Sequence, residues 1–547
     1  MPAAADSSRQ LQEILKAVEA LLRSGEVTRA AEVANQAVMR GAANPNLMIL
    51  AALHNVENGA PGRALTLAAR ARELLPKSGE ASQIMGLALA ALGRPREAIE
   101  AFDESLKHQP RTANVHHHKG LALEELHEWH QAQAAYEAAL KAEPMHAASL
   151  ARLASLKLSE GDDDAARRHA ERALGAKAGQ PAASIVLAQL ALNARDTAAV
   201  RDLVATFLSD PAVSPVNRAI GENLLGDALD AEGRPAEAFA HYRRCNDILK
   251  DHHRREYEAP GAERGTARAR RIGAYFESAD LARWRDCDAG RTPAPVDAHV
   301  FLVGFPRSGT TLLEQVLASH GAIESLEERD CLAAAMSEFV LPPGGLERLA
   351  ALDGDALERY REAYWREARA GGAALDRPVF LDKLPLNALN LGVIAKLFPR
   401  AKILLALRDP RDVVLSCFRR RFEMSPYMYE MLSLDSAASF YAATIGFCDF
   451  VQANLTLPVF ASRYEELVGD FEGRTRALCA FLGLAFDESM RAFAERTRGR
   501  MIRTPSKAQV ARGLYTGGMQ QWRAYEQFLA PAMPALGPWI EKLGYVS

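Results

Sequence analysis

Arg307, Ser308, Gly309, Thr310 and Thr311 stand together in "HVFLVGFPRSGTTLLEQVLASH", positions 299–320, and their types suit one task, holding an oxyanion. A short β-branched and apolar run precedes Gly304. A tight turn carries Pro306, Ser308 and Gly309, and Leu312, Leu313, Val316 and Leu317 follow at helical spacing. Strand, glycine turn and helix start gather backbone N–H groups at the positive end of a helix, where a phosphate or sulfate binds. Gly304 and Gly309 have the spacing of a nucleotide-triphosphate loop, but Thr310 occupies the lysine position and the cation is Arg307, inside the turn. That exchange disfavours an ATPase or kinase, which needs the lysine at its γ-phosphate. The plainer alternative is a structural turn with Arg307 at the surface.

A second grip is "LRDPRDVVLSCFRRR" at 407–421. Arg408 ends an apolar run, Pro410 suits a first helical turn, and Asp412, Ser416 and Arg420 fall four apart on one stripe. Two guanidinium groups and a hydroxyl are directed donors to phosphate oxygens. An Arg408–Asp412 pair fixing the strand–helix corner is the competing account.

These residues need a frame. The segments 378–382, 401–409 and 457–467 read as apolar strands after the one at Val300, with helical patterns at 386–398 and 413–422 between them. Alternating strands and helices predict a mostly parallel sheet covered on both faces, with its site beyond the carboxyl ends of the strands. Arg307, Lys383, Arg408 and Tyr464 all fall just past such ends. The Met- and Tyr-rich stretch 422–434 reads either as an adaptable acceptor pocket or as a helix packed on the sheet.

From about 11 to 250 the chain repeats. Gly93, Ala98, Phe102, Ser105 and Pro110 return as His127, Ala132, Tyr136, Ala139 and Pro144, a displacement of 34 residues. Weaker copies flank them, and about seven helix pairs are expected, the sixth, near 190–208, being degenerate. The period and residue types resemble tetratricopeptide repeats, whose hairpins bury their apolar faces only by stacking. The expected division is a solenoid over 11–250, a helical linker over 251–297 and a catalytic domain over 298–547. "VHHHKG" at 115–120 spreads its histidines over different helix faces and reads as surface or groove residues rather than a metal site.

The 547 residues allow more than one core, and a formal net charge of -3 gives no sign of a nucleic-acid or anionic-membrane partner. Six cysteines, at 245, 287, 331, 417, 448 and 479, have no C-x-x-C spacing. No secretory leader or bilayer-length apolar stretch is evident, so a cytoplasmic location is expected.

"FPRSGTTLLEQVLASH", "LDKLPLNALNLGVIAKLFP", "ILLALRDPRDVVLSCF" and "SRYEELVGDFEG" resemble the sulfotransferases that use 3′-phosphoadenosine 5′-phosphosulfate. The arrangement looks like bacterial proteins joining tetratricopeptide repeats to such a domain, which is also similar to protein-tyrosine sulfotransferases. The resemblance implies a three-layer α/β/α domain related to P-loop folds behind an all-α solenoid. It implies that residues 307–311 bind the 5′-phosphosulfate of the donor, that Arg408 and Ser416 bind its 3′-phosphate, and that Arg420 and Tyr464 add donor contacts. Lys383 and Ser506 match residues near the transferring group, and Glu328 matches the catalytic base. Glu327, one residue away, and His320 are the alternative bases; a carboxylate suits the task of accepting a hydroxyl proton. No metal is required. The acceptor expected is a hydroxyl, tyrosine in a protein or peptide, with a small phenol or a carbohydrate as alternatives. A non-catalytic module that binds proteins through the repeats and senses nucleotide is the alternative of another class. The expected partners are a peptide or protein acceptor held by the solenoid and a second copy of the chain. The sequence departs from the family at Gly321, often proline, and at Gly517, Gly518 and Gln521 in the closing segment "GGMQQWRAY", where Gln521 removes a charged donor contact.

Overall fold

Prolines and small capping side chains start most of the helices in the N-terminal half. Pro45, Pro61, Pro95, Pro181, Pro215 and Pro235 sit at first-turn positions, where a missing N–H costs nothing. Asn44, Ser78, Asp162, Gln180, Asp196 and Ser214 accept first-turn N–H bonds. The computed structural model describes residues 2–285, 294–498 and 516–545. Its two compact units divide between Val213 and Ser214. Six helix pairs form the first, from Pro2–Arg23 with Val27–Met39 to Pro181–Asn193 with Thr197–Leu208. A seventh pair, Pro215–Ala231 with Pro235–Tyr257, opens the second unit. The degenerate sixth repeat is thus a complete helix pair.

The pairs close by exchanging volume. A Cβ on Gly86 would overlap the ring of Phe102, one on Gly120 the ring of Tyr136, and one on Gly226 the ring of Tyr242. Each aromatic lies sixteen residues after its glycine. Where the aromatic is absent the glycine is absent too. Ala154 faces the repeat position of Ala170, and Ala188 that of Val204, all fully buried. Either combination leaves both residues of the crossing buried. The histidines of 115–120 go separate ways. His116 donates from Nε2 to the Pro110 carbonyl and His118 from Nδ1 to the Asn114 carbonyl. His117 is buried against Ser149 Oγ at 3.1 Å, and burial first, then neighbouring imidazoles, pushes its pKa down to about 3.

In the second unit a five-stranded parallel sheet has the order β2-β3-β1-β4-β5, with β1 Ala298–Gly304, β2 Ile323–Glu327, β3 Val379–Lys383, β4 Lys402–Leu407 and β5 Val459–Arg463. Strand alternation sends Val300, Leu302, Leu381 and Leu404 to one face. There they meet Leu313, Val316 and Leu317 of the helix Thr310–Ala318 and Leu478 of Phe471–Leu482. Phe301, Val303, Phe380, Ile403 and Leu405 point to the other face, against the helices Leu391–Leu397, Pro410–Phe418 and Leu434–Asn454. The architecture is therefore α/β/α. The stretch expected as a linker contributes to this core: Ile272, Phe276 and Trp284 are each 1% exposed within it. β2 had no counterpart among the sequence-derived strands. The Met/Tyr stretch holds a 3-10 turn, Met428–Leu432, in which Tyr429 and Met431 are buried, and Tyr427 stacks on Phe440 at 5.9 Å. Tyr427, Met428 and Phe422 are partly buried and pack against this core. No helix among those residues is long and apolar enough to cross a membrane.

Gly120→Ala should destabilise the repeats by about 1–3 kcal/mol, since the new methyl overpacks the Tyr136 ring. The double variant Gly120→Ala/Tyr136→Ala should lose less than the two single variants together. Urea melts of all four proteins measure the difference, and strict additivity would contradict the exchange of volume.

Candidate active site

The centre of the site is the ammonium of Lys383, which is fully buried at the end of β3. Register places Lys383 opposite Leu302 of β1 and Glu327 of β2. Its Nζ lies 2.7 Å from Glu328 Oε1, 3.4 Å from Glu327 Oε1 and 3.4 Å from Glu314 Oε2. Burying a charge is expensive unless it is paired. Here three carboxylates come from three places: the helix Thr310–Ala318, the last residue of β2, and the residue after it. They compensate desolvation, and the lysine pKa stands above its usual value despite burial. Glu328 donates its backbone N–H to the Lys383 carbonyl at 2.8 Å, prolonging the ladder by one step. Its φ of 46° is left-handed, a conformation that costs a non-glycine residue energy and turns the chain away from the sheet. The side chain of Glu328 is 39% exposed and that of Glu327 19%, so Glu328 is the carboxylate more open to an incoming molecule.

Glu314 was not singled out from the sequence. It is 2% exposed, accepts from Ser325 Oγ at 2.6 Å, and its pKa is pushed up to about 7 by burial first, opposed by Lys383 and supported by Glu327. The available signal was the one charged residue in the helical run "TTLLEQVLA". On the opposite face of β3, Asp382 accepts from Tyr364 Oη at 2.6 Å, and His299 Nε2 donates to that hydroxyl at 2.7 Å. Burial holds the Asp382 carboxyl up, at about 7.

The two cationic motifs converge beside this centre. Arg307 sits in the turn with φ 71° and donates from Nε to Ser416 Oγ at 3.0 Å. Arg408 donates from Nη1 to the Arg307 carbonyl at 3.1 Å and from Nη2 to the Gly518 carbonyl. The first loop and the second motif, about a hundred residues apart in sequence, are thus bonded directly. Gly304 and Gly309 have to be glycine. A Cβ on the first would lie 2.6 Å from the Ala406 carbonyl oxygen, one on the second 2.7 Å from the Tyr464 ring, and both have positive φ. Arg408 stands 5.1 Å from the centre of that same ring. Burial, aided by Arg420, Arg408 and Arg419, pushes the Arg307 pKa down to about 10. The helix Thr310–Ala318, whose positive end favours an anion, starts directly after the Arg307 turn.

Asp412 is 3.8 Å from Arg408, and its carboxylate also accepts the N–H groups of Gln520 at 2.7 Å and Trp522 at 2.9 Å. It anchors the closing segment as well as the corner. Gln521 donates to the Gly517 carbonyl at 2.8 Å. His320 is engaged at both ring nitrogens: Nδ1 accepts from the Ala322 N–H and Nε2 donates to the Ala485 carbonyl, each at 3.0 Å. Gly321 N–H donates to Asp487 Oδ2 at 3.2 Å, a bond that proline could not make. Ser506 lies outside the described residues.

Residues 299–488 match the model of the Sulfotransferase family, and residues 85–126 and 118–181 match the tetratricopeptide repeat. An uncharacterized protein of Aquifex aeolicus is 24% identical over 352 residues, 62% of this chain and 44% of that protein. Protein-tyrosine sulfotransferase A of Caenorhabditis elegans is 24% identical over 323 residues, 56% of this chain and 80% of the relative. Protein-tyrosine sulfotransferase 2 of Gallus gallus is 25% identical over 201 residues, 35% of this chain and 52% of the relative. The alignments thus span about half the length of the first and third of these relatives and four-fifths of the second.

Glu314 makes stability depend on pH. Its carboxyl titrates near 7 in the fold against 4.5 for an ordinary glutamate, so the folded protein binds the extra proton in that window and loses stability as pH rises through it. Glu314→Gln should remove this loss. Relative to wild type, the variant should gain about 1–3 kcal/mol on going from pH 4.5 to pH 8. Urea unfolding at both pH values reads it, and a difference that does not vary with pH would move the proton elsewhere.

Proposed function

We propose that this chain, in which tetratricopeptide repeats precede a sulfotransferase-family domain, transfers a sulfuryl group from 3′-phosphoadenosine 5′-phosphosulfate to an acceptor hydroxyl, tyrosine in a protein or peptide. The observation that carries the reading is the 2.7 Å contact of Glu328 with Lys383 at the strand ends, beside the loop of Arg307. A base, a buried cation and an anion cradle are what sulfuryl transfer requires. The cradle suits a donor with two separated anions. Arg307 and the N–H groups of residues 307–311 would hold the 5′-phosphosulfate, and Arg408, Ser416, Arg420 and Tyr464 the 3′-phosphate. Among the described residues the buried Arg408 Nε–H has no hydrogen-bond partner, an unmet donor of the kind an anion satisfies. The tyrosine acceptor is supported by two of the relatives being protein-tyrosine sulfotransferases and by the repeats, which offer surface for a protein.

In the proposed reaction the acceptor oxygen attacks sulfur in line with the departing phosphate oxygen. The new S–O bond forms as the old one breaks, the hydroxyl proton passes to Glu328, and adenosine 3′,5′-bisphosphate leaves. Lys383 and Arg307 stabilise the charge that grows on the departing oxygen. Neutralising Glu328 weakens its hold on Lys383, freeing the ammonium for that oxygen, while Glu314 and Glu327 keep it compensated. No side-chain nucleophile takes part.

Incubation with the donor and separate peptide, phenol and glycan panels tests the acceptor; transfer to glycans alone would overturn the tyrosine assignment. Donor binding without any transfer would favour a nucleotide-sensing module. Glu328→Gln should lower single-turnover transfer by roughly 10²–10⁴ with donor binding nearly intact, and Glu327→Gln should do much less. A full-speed Glu328→Gln enzyme would reject the assignment. Arg408→Ala should weaken adenosine 3′,5′-bisphosphate more than adenosine 5′-phosphate in calorimetric titration, by about 1–3 kcal/mol. Equal losses would remove the 3′-phosphate role.

A further inference from the structure

The helix Pro410–Phe418 carries Ser416 and leads into Arg419, Arg420 and Arg421, and its end is held by the hairpin Pro215–Ala231 and Pro235–Tyr257. Asn246 Nδ2 donates to the Phe418 carbonyl and Asn223 Nδ2 to the Arg419 carbonyl, both at 2.9 Å. These amides satisfy carbonyls that a helix terminus leaves open. Two carboxylates of the hairpin face the arginines. Asp230 pairs with buried Arg419 and accepts from Tyr525 of the closing segment. Asp227 Oδ2 lies 3.3 Å from Arg420 Nη1.

The Asp227 pair is unequal. Asp227 is pinned, because its Oδ1 accepts the Tyr242 hydroxyl at 2.8 Å and the Tyr242 ring fills the space beside Gly226. Its side chain is 12% exposed. Arg420 is 34% exposed, donates a single hydrogen bond from Nη1 to the carboxylate at 3.3 Å, and ends a long flexible stem. It also lies near enough to Arg307 to help depress that guanidinium. A fixed negative charge therefore stands one guanidinium away from the cluster of Arg307, Ser416 and Arg408.

We propose that Asp227 is a built-in electrostatic brake on the anion site: it engages Arg420 in the free protein and opposes the charge of the donor nucleotide. The proposal rests on the reading of that site as the donor's. The hairpin then contributes directly to nucleotide affinity. A restrained grip favours release of adenosine 3′,5′-bisphosphate after transfer, a step that sets turnover in many enzymes.

Calorimetric titration of the full chain with adenosine 3′,5′-bisphosphate is the test. Asp227→Asn keeps an oxygen for the Tyr242 hydroxyl and removes the charge, and should tighten binding about 3- to 10-fold at low salt, less at high salt. Asp227→Ser, a second neutral variant, should tighten it in the same direction if melting shows the amide variant misfolded. Weaker binding by either folded variant would make Asp227 a support for Arg420 and overturn the brake. Unchanged affinity would also overturn it. If wild type bound no bisphosphate, the donor reading itself would fail; if wild type bound and neither variant tightened, only the brake would.

Discussion

A buried ammonium group governs how the second unit is put together. Lys383 reaches zero exposure at the carboxyl end of β3, where an unpaired charge would be untenable. Its partners fix three elements at once: the helix Thr310–Ala318 through Glu314, the end of β2 through Glu327, and the left-handed step beyond it through Glu328. One cation among three carboxylates leaves the group over-compensated, and burial answers by raising the proton affinity of the most enclosed member, Glu314. The same excess leaves Glu328, the most exposed of the three, at hydrogen-bond distance from the lysine and open to solvent. Structural pairing and the chemistry proposed for the site therefore rest on one set of contacts.

The opposite charge balance prevails a few residues away. Arg307, beyond the end of β1, and Arg408, Arg419 and Arg420, which flank the helix Pro410–Phe418, gather together, and their mutual repulsion contributes to the lowered pKa of Arg307. Asp412, Asp230 and Asp227 offset part of it, and each is also tied to another element: Asp412 to the closing segment, Asp230 to Tyr525, Asp227 to Tyr242. A cradle built from repelling cations is rigid only if such counter-charges hold it. Each counter-charge in turn reduces the attraction for an anionic ligand, so affinity and preorganisation are traded against one another at the same residues.

Much of this was legible in the chain. Arg307, Arg408 and Lys383 were readable because an apolar run ending in a cation, followed by a glycine or proline turn, has few other uses at the edge of a parallel sheet. β2 was not, because "IESLE" is five residues long and carries two carboxylates, one on each alternation; its strand character comes from pairing with β3, which a single sequence does not show. Glu314 was hidden for a related reason. Its partner Lys383 is 69 positions away in sequence, and a helix buried on every side gives no polar stripe to mark it. The direct bond from Arg307 to Ser416 was equally invisible, since motif reading assigned the two side chains to different ends of the donor.

The repeats show a subtler limit. A periodic pattern is detected by residue identity, whereas the helix crossing is constrained by summed volume. Glycine with an aromatic at Gly120 and Tyr136, and alanine with valine at Ala188 and Val204, satisfy the same crossing with no residue in common. The sixth pair therefore reads as degenerate although it forms two complete helices with buried Ala188 and Val204 between them. The seventh keeps the glycine–aromatic form, in Gly226 and Tyr242, and there the aromatic has a second contact: its hydroxyl fixes Asp227 against Arg420. A phenylalanine would fill the crossing equally well but could not hold the carboxylate. The tyrosine at this repeat position thus fills the crossing with its ring and fixes a carboxylate with its hydroxyl, as Tyr136 does with Glu124.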